Sequence, residues 1–150
     1  MKTIFDHPTR QELTTRIQQV AADHQPQWGK MNVYQMLQHN TYWNEWILGK
    51  NGHVYKQTFM GKLFGKIALK RMVKDEQPFD KNIPTSEQFK PKSSNGDLEL
   101  EKLKWIALIE EYESYHNPDF VHDFFGRMTK EQIGILVYKH TDHHLRQFGV

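Results

Sequence analysis

The stretch Thr129-Lys130-Glu131-Gln132-Ile133-Gly134-Ile135-Leu136-Val137-Tyr138-Lys139-His140-Thr141-Asp142-His143-His144-Leu145-Arg146-Gln147-Phe148 decides the fold. Thr129 followed three residues later by Gln132 reads as a capping box, so a helix is predicted from about Lys130 to Phe148. Its inward stripe is Ile133, Val137, His140, His144 and Phe148, in steps of four, three, four and four. Two histidines therefore stand where a core-facing helix would carry apolar side chains.

Working outward, the same helical period recurs. A first helix is predicted from about Pro8 to Ala22, with Asp6 as N-cap and Leu13, Ile17 and Val20 as its stripe. A second runs from about Val33 to Leu48, opened by the capping box Asn32/Gln35 and stopped by Gly49. A shorter basic helix spans about Gly61 to Lys74. Next comes a long irregular stretch with Pro78, Pro84, Pro91 and Ser93-Ser94-Asn95-Gly96, which either covers a site or simply connects distant helix ends. A further helix runs from about Leu98 to Tyr115, stopped by Asn117-Pro118. Strand-like alternation is missing. The expected fold is an all-α antiparallel helix bundle in one domain covering residues 1–150.

Composition narrows the chemistry. The chain has 150 residues and no cysteine, which excludes a disulfide scaffold, a cysteine zinc finger, an iron–sulfur cluster and a cysteine nucleophile. Any thiol chemistry must use a thiol brought by a ligand. A net charge of +2 does not argue for nucleic acid, and no apolar run is long enough for a signal peptide or a membrane span. The expected location is the cytoplasm. The expected partner is a small-molecule substrate, with neither nucleic acid nor membrane involved. Nine histidines and 13% aromatic residues are the unusual figures, and histidine is the commonest metal ligand.

Residues four apart on a helix lie within about 6 Å of each other, so His140 and His144 could reach one ion at about 2.0–2.1 Å. Among nine histidines, about half an i,i+4 pair arises by chance, so the pair alone is weak. The plainer alternative is two hydrogen-bonded core histidines, or two that face solvent. A third ligand is offered by His39, mid-way along the second helix beside the Met36–Trp43 line. Three histidines from two helices would leave coordination positions open. Gln35, Met36, Tyr42, Trp43 and Trp46 fall near the same side and either line a pocket or belong to the core.

The ordered combination resembles the DinB/YfiT-like metalloprotein superfamily. The residues that carry the resemblance are Met36-Leu37-Gln38-His39 in the capped second helix and the terminal run from His140 to Gln147. The stretches from Gly61 to Lys70 and from Gly126 to Lys130 are similar to an uncharacterised branch of that superfamily. The resemblance runs in order through nearly the whole chain. It implies an up-down four-helix bundle whose metal ligands are His39, His140 and His144, with His143 beside the metal rather than on it. Relatives of this kind include metal-dependent transferases and isomerases that use low-molecular-weight thiols.

Three functions follow as expectations. The first is a metal-dependent transferase acting with a small thiol cofactor, with His143 as a base. The second is a metal-dependent hydrolase, for which Glu45 and His143 are the candidate bases. The third is a non-catalytic metal-binding or interaction bundle. Imidazole suits Zn, Ni, Cu and Fe alike, so the cofactor is expected as a divalent metal of open identity. Lys62, Lys66, Lys70 and Lys74 form a stripe in a segment, Lys50 to Lys74, with seven basic residues and no acid. It reads as an anion site, a membrane surface or a solvated helix face. The acidic segment from Asp97 to Glu113 could pair with it within the chain or across a homodimer.

Overall fold

Hydrophobic periodicity becomes five α-helices in the computed structural model, which describes residues 1–150. They are α1 (His7–Gln19), α2 (Val33–Ile47), α3 (Phe59–Met72), α4 (Leu98–Glu111) and α5 (Lys130–Gln147). Short 3-10 turns lie at Lys50–Gly52, Glu87–Phe89 and Tyr112–Ser114. The protein has no β-strand and is all-α; a lone bridge joins His122 to Gly126. No helix is long and apolar enough to cross a membrane.

Both capping boxes form. Asn32 accepts from the Gln35 amide while Gln35 accepts from the Asn32 amide, and Thr129 and Gln132 do the same. Asp6 occupies the N-cap position of α1 but its side chain makes no capping bond; Pro8 alone marks the first turn. That helix ends at Gln19, three residues short of the expected end. Val20 adopts an extended backbone there, and its side chain is buried in the core. α3 starts at Phe59, two residues early, because Thr58 accepts from the Gly61 amide.

α2 packs on α4, α4 on α1, α1 on α5, and α5 closes on α2. One cluster fills the space between them, with Leu13 and Ile17 from α1, Met36 and Leu37 from α2, Trp105 and Ile109 from α4, and Val137 and Leu145 from α5. Full burial of each such side chain contributes about 1.5–3 kcal/mol against the entropy of ordering the chain. Some interior polar groups are paired, as where the buried Tyr112 hydroxyl donates to Asn44 Oδ1 at 2.9 Å; others, the Trp105 indole N–H and the Thr141 hydroxyl among them, have no hydrogen-bond partner. α5 is buried on nearly every side, because the N-terminal segment also crosses it. The Ile4 amide donates to Gly134 O at 3.1 Å, and a Cβ at Gly134 would sit 2.1 Å from Thr3 Oγ1. α3 lies outside this ring of four, tied to α5 where Lys139 Nζ donates to the carbonyls of Met72 (2.6 Å) and Asp75 (3.1 Å).

Candidate metal centre

α2 and α5 meet where His39 faces His140 and His144. The candidate donor nitrogens of these three lie within 4.8 Å of one another, close enough to hold a metal ion. His39 Nε2 and His140 Nε2 are 3.3 Å apart. Two ligands at tetrahedral angles on an ion with bonds of 2.0–2.1 Å would be about 3.4 Å apart.

The proton on each ring follows from its outer partner. His39 Nδ1 lies 3.0 Å from the Phe89 carbonyl, which can only accept, so Nδ1 carries the hydrogen and Nε2 is a bare lone pair. His144 Nδ1 lies 2.9 Å from Gln147 Oε1. The Gln147 amide is oriented by its Nε2 donating to the Trp28 carbonyl at 2.7 Å, so His144 also carries its hydrogen on Nδ1. His140 has no such partner; its Nδ1 is buried and unpaired. Its ring instead stacks on Trp43, with centroids 3.9 Å apart and planes 10° from parallel. Either tautomer of His140 leaves a defect. A hydrogen on Nδ1 has no acceptor there and also sets two lone pairs against each other at 3.3 Å, and one on Nε2 strands a buried acceptor at Nδ1. A cation between the Nε2 atoms removes the repulsion, so this donor set fits a metal ion.

Burial, the largest effect for all three rings, holds their pKa values below the ordinary histidine value, His140 and His144 well below it. Mutual repulsion among the rings acts the same way, while the hydrogen bonds to Phe89 and Gln147 oppose it. The three are therefore neutral at pH 7, the form a metal binds. No carboxylate joins the group, which consists of three histidines.

The family model described as a protein of unknown function (DUF1569) matches residues 5–149. The chain belongs to this family. No curated protein and no solved structure matches it.

The other candidate residues of this DUF1569 protein fall around the trio. His143 turns away from the converging nitrogens: its ring packs against Trp28 (5.3 Å) and Phe79 (6.1 Å) and lines a cavity of about 390 Å³ with Lys81 and Arg146. Burial lowers its pKa, against the pull of Asp142. Glu45 accepts from Asn51 Nδ2 at 3.1 Å, at the far end of α2. Gln35 is committed to its capping box and Met36 to the core. Trp46 packs on Phe89 at 5.0 Å, which seats the loop carbonyl that orients His39. His122 is close enough for its charge to depress His140, yet its Nδ1 faces the amides of Phe124 and Phe125. Sequence reasoning missed Phe89 and Gln147. Gln147 had a signal, standing three residues after His144 on one helix face; a backbone carbonyl from a distant loop had none.

Proposed function

We propose that this protein is a metalloenzyme of the DinB/YfiT type, an up-down four-helix bundle that binds one divalent ion through Nε2 of His39, His140 and His144. It acts on a small electrophilic substrate with a low-molecular-weight thiol. The observation that supports this most is the pair of outer hydrogen bonds, from His39 Nδ1 to the Phe89 carbonyl and from His144 Nδ1 to Gln147 Oε1, that turn two histidine lone pairs inward with no protein cation between them. A structural zinc site would be closed by a fourth protein ligand; three ligands match the catalytic pattern.

An ion held here supplies Lewis acidity, and a thiol brought to it would be held as the thiolate, its nucleophilic form. The chain has no cysteine to compete for it. Phe89 and Gln147 fix the ligand rings, and Trp43 holds His140 by stacking. His143 faces the Trp28–Phe79 cavity and not the converging nitrogens, so the proton that a thiol gives up would pass to solvent. The hydrolytic reading stands second, because Glu45 is held at Asn51.

The test starts with elemental analysis of protein purified without a nickel column. One Zn, Ni or Fe per chain is expected. A panel of biological thiols is then titrated into the loaded protein, followed by conjugation assays with model electrophiles. If no thiol binds, and metal-dependent ester or amide hydrolysis appears that vanishes in His39→Ala, the hydrolase reading takes its place.

A further inference from the structure

α3 is built the wrong way round for a helix of a soluble bundle. Gly61, Gly65 and Leu69 recur every fourth residue on its buried side. The glycines lie so close to the turn below that a Cβ at Gly61 would meet Phe124 O at 2.4 Å and one at Gly65 would meet it at 2.0 Å. Phe59, Leu63 and Ile67 recur on the opposite side, with Met60 and Phe64 beside them, and all five are exposed, Phe59 to 74% and Ile67 to 72%. The helix cannot roll to hide them, because every other side carries a Cβ that the Phe124 backbone would exclude.

The charges along one flank of this apolar face are of one sign: Lys62, Lys66 and Lys70 make no salt bridge, and no acid occurs between Glu45 and Asp75. On the other flank Arg71 pairs with Asp80 at 3.5 Å. The carboxylates of α4 are already engaged within the chain: Glu99 with Lys102, Glu101 with Lys104, Glu110 with Arg10 and Glu111 with Lys50. None of them reaches the lysine stripe. A second copy packed α3 on α3 would oppose like charges, and one packed through α4 would offer acids that are already paired.

We propose that α3 docks this protein on an anionic lipid surface, lying in the plane of the interface with Phe59, Leu63 and Ile67 inserted and Lys62, Lys66 and Lys70 at the headgroups. Exposed Phe, Leu and Ile opposite a glycine-faced seat, flanked by lysines with no carboxylate partner (Lys66 donates only to the Arg127 carbonyl), is the chemistry that such a surface recognises. This replaces the reading of the lysine stripe as a solvated face.

The full chain is sedimented with vesicles of phosphatidylcholine alone and of phosphatidylcholine mixed with phosphatidylglycerol. It should pellet with the mixed vesicles only, and less as salt is raised. Lys62→Gln/Lys66→Gln/Lys70→Gln should lower partitioning by roughly a hundredfold, about fivefold for each lysine. Leu63→Ser/Ile67→Ser should abolish pelleting. All five positions are solvent-facing, and an unchanged circular dichroism spectrum confirms folding. A wild-type chain that stays in the supernatant with mixed vesicles overturns the proposal, whatever the variants do. So does pelleting that Leu63→Ser/Ile67→Ser leaves intact. A concentration-dependent dimer that the same double variant dissolves, without vesicle binding, assigns the face to a second copy instead.

Discussion

His140 is the least supported of the three imidazoles by hydrogen bonds: its Nδ1 has no partner, and its ring stacks on Trp43. Replacing both His140 and His144 with Ala should reduce bound metal to background, read by elemental analysis, and leave the helical signal largely intact. Full occupancy in that variant would mean the ligands are elsewhere. Gln147→Leu keeps all three ligands but removes the acceptor that turns His144. Metal affinity should fall by roughly 10- to 100-fold, measured by competition with a chromophoric chelator. An unchanged affinity would show that the ring is oriented without Gln147. The histidine trio itself was readable because two of its members replace apolar residues on a periodic stripe, and the third lies beside the apolar line of α2. What orients them was not: Phe89 acts through its carbonyl, which no side-chain pattern reports, and Trp43 acts through a stack that looks like core in sequence.

Helix starts with a capping box were legible to the residue, as at Asn32 and Thr129, because the box needs two side chains at a fixed spacing. Ends were less so: α1 stops where Val20 leaves the helix to enter the core, a tertiary choice that local propensity does not encode. α3 shows the same blindness in reverse. Its lysines were read as one face, but the glycines that decide which face is buried are meaningful only against the Phe124 backbone. In an isolated helix, Gly→Ala stabilises by about 1 kcal/mol. Here Gly65→Ala should destabilise, by roughly 1–3 kcal/mol, because the new Cβ would lie 2.0 Å from Phe124 O. Urea denaturation gives the sign directly; a stabilised variant would mean that α3 is not seated on that turn.

The chain as a whole should fold without metal, since one core joins α1, α2, α4 and α5. An ion that binds only the native state, at a hundred times its dissociation constant, should raise the melting temperature by roughly 5–10 °C. A chelated chain with no helical signal would make the ion structural. Acid should act in a defined direction. His39, His140 and His144 have folded-state pKa values below the ordinary 6.5, so the unfolded chain binds more protons. Their contribution to stability is complete above pH 6.5 and is lost as pH falls from there through the folded values. A melting temperature of the metal-free protein that rises on acidification from pH 7 to pH 5 would contradict this. The long stretch between α3 and α4 sends one carbonyl, that of Phe89, to His39. Metal affinity and closure of that loop are thereby linked, and linkage runs both ways: whatever pins the loop tightens the ion, and the ion pins the loop. A protease that cuts between Met72 and Leu98 should therefore work more slowly on loaded protein. The nicked chain should release its ion faster, which makes the rate of nicking a gauge of occupancy that needs no assay of turnover.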